Sequence, residues 1–148
     1  MKKFLILKLA LIFIFLVTSL EAKQLNYHEE GKLLFEKNKI EKSKILFERD
    51  IVFNPKSENS YLFLAKIFNK KNNDEEEEIN LKSVLLLNPS NDEAIYMLAL
   101  LKIKQSDYEE SKKLIKKFNS VCKLFCEKKK EMQDKFSKLN PDETKKEN

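Results

Sequence analysis

The chain has 148 residues, of which 36% are charged, with one Gly and three Pro. That is room for one modest domain or a short repeat array, and it lacks the turn residues that many short strands need, so an all-helical fold is expected. The net charge of +5 includes +2 from residues 1–22, and the +3 that remains is spread among carboxylates, which argues against a nucleic-acid partner.

Residues 1–22 have the three parts of a secretory signal. Lys2 and Lys3 form a basic start, the apolar core is densest from Leu9 to Val17, and Thr18, Ser19 and Ala22 are small, with cleavage expected after Ala22. The alternative is an uncleaved membrane anchor. However, counted from Phe4 the apolar stretch runs only about 14 residues and is interrupted by Lys8, against the ~20 that span hydrocarbon. The expected location is therefore outside the cytoplasm, periplasmic or extracellular.

From residue 24 onward the sequence repeats. Asn54-Pro55 and Asn88-Pro89 lie 34 positions apart. Shifted by that period, Tyr27, Tyr61 and Ile95 align, then Glu30, Leu64 and Leu98, then the small residues Gly31, Ala65 and Ala99. Small side chains at a fixed register are what two closely crossing helices require. Leu34, Phe68 and Lys102 come next, and Asn38, Asn72 and Ser106 fall where a turn belongs, Asn being tolerant of left-handed backbone. A second run follows in Ser43, Glu77 and Ser111, in Phe47, Leu81 and Ile115, in Asp50, Val84 and Phe118, and in Phe53, Leu87 and Val121. The prolines punctuate the units, because Pro cannot continue a helix. Ser90 with Glu93 suits a capping box, and Asp74 with Glu75–Glu78 places negative charge at a helix start.

Residues 120–139 are expected to form one further helix with Val121, Phe125, Met132, Phe136 and Leu139 on its apolar side, capping the last hairpin. Pro141 ends it, and residues 140–148 are expected to be a disordered tail. Lys128, Lys129 and Lys130 are interrupted by acidic residues and are read as a solvated face. Cys122 and Cys126 are the only cysteines. In an oxidising compartment they are candidates for a disulfide, which would need a distorted helix there; buried thiols and redox or metal chemistry are the alternatives.

The 34-residue pattern resembles the tetratricopeptide repeat, with "FERDIVFNP" at 47–55 and "SDYEES" at 106–111 close to the family pattern. The resemblance implies a right-handed α-solenoid of about three helix hairpins, 24–57, 58–91 and 92–125, with a capping helix to about 139, so that the domain spans 23–139. Glu30, Asp50 and Lys123 depart from the pattern. The family's groove is lined by the first helix of each hairpin. Carried over, that gives His28, Lys32 and Phe35; Leu62, Lys66 and Lys70; and Tyr96, Leu100 and Lys104.

No catalytic constellation can be assembled from one His and one Gly, so no enzyme activity, metal or cofactor is expected. The expected function is a noncatalytic scaffold of the cell envelope that holds a peptide or partner helix in that groove. The alternative is a thiol-redox or metal-delivery accessory protein working through Cys122 and Cys126.

Overall fold

The computed structural model describes residues 26–139, which are helical throughout apart from their connections, and no strand occurs among them. The leader assigned to 1–22 and the tail assigned to 140–148 lie outside the described residues. We number the helices α1 (Tyr27–Glu36), α2 (Ile40–Phe53), α3 (Glu58–Lys70), α4 (Asp74–Leu87), α5 (Asp92–Lys104), α6 (Tyr108–Val121) and α7 (Lys129–Leu139), with a single 3-10 turn at Cys126–Lys128 before α7. The 34-residue period survives in these boundaries: α2, α4 and α6 each begin and end 34 residues apart, as do α3 and α5. Each odd-numbered helix pairs with the next to form a hairpin, and the second helix of each hairpin packs on the first helix of the following one. This packing is that of a helical repeat.

The turns inside the hairpins are built alike, for a local chemical reason. Asn38, Asn72 and Ser106 have φ of 55°, 53° and 61°. Their left-handed backbone lets the following amides of Lys39, Asn73 and Asp107 donate to Leu34, Phe68 and Lys102 carbonyls at 2.8, 3.0 and 2.9 Å. Carbonyls that the helix end would otherwise orphan are thereby satisfied. At the helix starts, Asn73 and Asp107 cap α4 and α6 by accepting from the amides of Glu76 and Glu110. At α5 the cap is Asn91, which accepts from Ala94 N–H, and not Ser90, whose hydroxyl and amide are both turned to Asn88.

The aligned columns become the core. Gly31, Ala65 and Ala99 are all buried, as are Phe47, Leu81 and Ile115. A methyl group built on Gly31 would meet the Phe47 ring at 2.9 Å, so the helices of the first hairpin touch backbone to ring. The column of Leu64 and Leu98 continues into Met132 of α7, also buried, so α7 occupies the place of a fourth first-helix. Glu30, in the same column, is exposed, and Leu33, whose counterparts Ile67 and Leu101 are buried, is 55% exposed. No described helix precedes α1 to cover them.

Other departures from the pattern are compensated by neighbours. Lys102 stands in an apolar column but bridges to Glu78 at 2.7 Å, and with Lys82 it holds the Glu78 carboxyl down at about 2. Asp50 accepts the Ser60 hydroxyl proton at 2.6 Å. Lys123 replaces a third proline because its N–H is needed: it donates to Asp92, which proline could not satisfy. Glu77, only 1% exposed, sits between the two serines of its column and receives both carboxylate hydrogen bonds from Asn69 at 3.1 Å. Burial raises its pKa above the usual 4.5 despite those bonds. The benefit of a neutral Glu77 is therefore complete below pH 4.5 and lost as pH rises through its folded-state value. Glu77→Gln should remove that titration and flatten the acid-side profile in denaturant titrations.

The segment expected to be one helix over 120–139 is broken. α6 stops at Val121, and Cys122–Phe125 cross over non-helically before the 3-10 turn. Two features hold the break. Asp92, the first residue of α5 and 8% exposed, accepts from the amides of Lys123, Leu124 and Phe125 at 2.7, 2.6 and 3.1 Å. Cys122 and Cys126 are joined as a disulfide with Cα atoms 5.3 Å apart. Glu58, one period before Asp92, does the analogous job at the previous junction, where its Oε1 accepts from Asn88 and Asn91 side chains. An acid at the start of a first helix thus ties down the next junction in both cases. A bridge closing so short a loop removes little unfolded-chain freedom, and reducing it should cost about 2 kcal/mol. Guanidinium unfolding with and without reductant measures this.

Candidate functional site

The nine residues carried over as groove lining come from α1, α3 and α5, and the structure separates them into a cluster, two core or cap residues and a covered patch. The cluster lies across the first two hairpins. Phe35 meets Phe63 edge-on at 5.2 Å between ring centres, and Phe63 stacks on buried Phe47 at 4.9 Å. Lys70 Nζ stands 5.1 Å over the Phe35 ring, and Lys66 Nζ 5.0 Å over Phe63. Both rings are half-buried and both lysines sit on their outer faces, where cation and ring attract. Lys66 is also bridged to Glu93 of α5 at 2.7 Å, which leaves Lys70 and the exposed Lys32 as the cations facing solvent here.

Two of the nine are not lining residues. Leu62 is buried in the core shared by the second and third hairpins. His28 lies half-buried between hairpins, its ring 5.6 Å from Phe47 and 5.8 Å from Phe63, with Nδ1 2.9 Å from Ser60 Oγ. The Ser60 hydroxyl gives its proton to Asp50 and accepts from Ser57, so His28 Nδ1 must carry the hydrogen it shares with Ser60. His, Ser and Asp thus meet, but with Ser60 between the other two and fully buried. A nucleophilic triad needs the imidazole in the middle and the hydroxyl free to attack, so this is a structural tie between α1, α2 and α3.

The third-hairpin residues are covered by the chain itself. Tyr96 packs between Phe118 and Phe125 at 6.2 and 6.1 Å. Burial, followed by donation of its hydroxyl to Glu131 of α7, pushes the Tyr96 phenol up to about 12. Leu100 and Lys104 border an open cavity of about 500 Å³ whose other side is Lys135 and Lys138 of α7. Lys104 itself is paired with Asp74 at 2.6 Å. Of the nine positions, those on the third hairpin are thus faced by α7, which packs on α5 and α6, while those on the first two are not.

Sequence reasoning missed Phe63 as the centre of the cluster. Its signal was a ring one position after Leu62 in the α3 first-helix run, but helical phase alone does not say which of two adjacent apolar residues turns inward. Among the described residues no group of three or more His, Cys, Asp or Glu is placed to hold a metal ion, and no helix is long and apolar enough to cross a membrane. Compared with known proteins, the sequence matches no family model and none of the curated proteins.

Proposed function

We propose that this chain is a noncatalytic scaffold of tetratricopeptide-like hairpins, exported to the cell envelope, that holds an extended segment of one protein partner against α1 and α3. The observation that carries this reading is the Phe35–Phe63 ring pair with Lys66 and Lys70 on its outer faces. Half-buried rings offer apolar anchoring area, and Lys70 beside them, with the exposed Lys32, favours a carboxylate, Lys66 being already paired with Glu93. The matching ligand is a short segment with an acidic residue beside a Leu or Phe. The disulfide is assigned a structural role, since it closes the break between α6 and α7 to which Asp92 also contributes.

The test is peptide display against the protein with its disulfide intact. Selected peptides should be enriched in paired acidic and large apolar residues. Lys66→Glu with Lys70→Glu should weaken their binding at least about tenfold, a loss of ~1.4 kcal/mol, without changing the helical circular dichroism. Unchanged binding by the double variant rules out this groove.

A further inference from the structure

The second helices carry exposed apolar residues that neither the core nor the proposed groove uses. On α2, Ile45 and Val52 are 49% and 74% exposed; on α4, Ile79 and Leu86 are 51% and 84% exposed. Residues seven apart share a helix face, and the two pairs stand 34 residues apart, so each helix presents the same outward stripe. Phe53 and Leu87, next in the chain after Val52 and Leu86, are exposed as well. The stripe ends at α4, because the matching positions on α6 are Lys113 and Ser120.

The charges beside the two stripes differ in sign. On α2, Lys42 and Arg49 stand one turn before and after Ile45 and have no partner among the described residues, whereas Glu41 and Glu48 are held by Lys71 and Lys44. On α4 the relation is inverted: Lys82 is held by Glu78, and the unpaired groups are Glu75 and Glu76, one turn before Ile79. The α2 stripe is left with uncompensated cations and the α4 stripe with uncompensated anions.

We propose that this face joins two copies of the chain in a two-fold dimer, the α2 stripe of each copy lying along the α4 stripe of the other. The inverted charge selects this occupant, since the patch is complementary to itself and one two-fold axis satisfies both halves at once. The helix directions fit. Short connections make both α2 and α4 run opposite to α3, so an axis parallel to them lays α2 beside α4 of the second copy in the same direction. Residues of one column then meet at one level: Ile45 with Ile79, Val52 with Leu86, and Lys42 with Glu76. The other two-fold, α2 upon α2, would gather the free cations on one side and the free anions on the other, each without a countercharge. A patch of this size supports a weak, concentration-dependent dimer. The proposed groove lies on the first helices and takes no part in it.

The experiment is sedimentation velocity on the full chain with its disulfide intact, from micromolar to millimolar protein, where a monomer–dimer equilibrium should appear. Lys42→Glu with Arg49→Glu should weaken association at least about tenfold, and so should Glu75→Lys with Glu76→Lys. Combining all four reversals restores opposite signs across the contact and should return the dimer towards wild-type affinity. Val52→Gln with Leu86→Gln, which leaves the start of α4 intact, should also weaken it at least about tenfold, with the helical circular dichroism unchanged. A chain that stays monomeric over the whole range would overturn the proposal, and this face would then await a different partner. Association that none of these variants changes would also overturn it, because the contact then lies elsewhere, residues 1–22 included. So would a combined variant no tighter than either reversal alone, since the charges then do not face each other.

Discussion

Replacing Asp92 with Ala is expected to destabilise the protein by about 3 kcal/mol, the loss concentrated where α6 hands over to α7. The carboxylate accepts three consecutive backbone amides in a largely buried position, and truncation leaves all three donors without a partner. Charge-assisted bonds of this kind are about twice as strong as neutral ones, so Asp92→Asn should recover only part of the loss. The carboxyl's own titration gives a second readout. Burial alone would raise its pKa, but the amides of Lys123, Leu124, Phe125 and Glu93 together bring it below the usual 3.8. A depressed acid contributes stability that is complete above pH 3.8 and is lost as pH falls through the folded-state value. Wild type should therefore lose stability more steeply than Asp92→Ala as the solution is acidified below 3.8. Amide hydrogen exchange should show faster opening at residues 123–125 in the variant, with the amides of α3 and α4 unaffected. Equal protection at 123–125 in both proteins would show that the disulfide alone holds the break.

Gly31→Leu should cost about 3 kcal/mol, and Gly31→Ala about 1 kcal/mol, both read from denaturant midpoints. Two effects oppose each other in the Ala variant. Removing a helical Gly favours the helix by ~1 kcal/mol. Against that, the new methyl lands 2.9 Å from a ring that is fully buried, stacked on Phe63 and flanked by His28, so the ring has no room to retreat. Overpacking of this kind typically costs about 1 to 3 kcal/mol, which wins narrowly for Ala and decisively for Leu. At the same register Ala65 and Ala99 carry their methyl groups in full burial, where the residues aligned with Phe47 are Leu81 and Ile115. An unchanged midpoint for Gly31→Leu would mean that α1 shifts freely on α2, and the ring cluster of the proposed groove would then have no fixed geometry.

The hairpins were legible because each is a local object. A left-handed residue at 38, 72 and 106, a small residue at 31, 65 and 99, and a proline at 55 and 89 each act within one helix–turn–helix, so a period in sequence becomes a period in space. The exceptions were less legible because their partners are distant. Lys102 looks like a flaw in an apolar column until Glu78 is placed beside it. Lys123 looks like a missing proline until Asp92 claims its amide. The proposed groove was only partly legible, since the register names the helices that the resemblance implies would line it but not which neighbours cover them. Leu62 turned inward, His28 was consumed by Ser60, and Tyr96 went under α7.

What the sequence determined by itself is the number, length and order of the hairpins, since these follow from helix caps, small-residue contacts and chain breakers within one period of one another. What only the tertiary structure decided is where the array ends and what its surface offers. Residues 120–139 carry a helix-like apolar spacing throughout, yet a carboxylate at position 92 stabilises three free amides and breaks it, a gain that exists only once α5 stands beside the break. The same contact carries the chain into α7 against the third hairpin and leaves the rings of the first two facing outward.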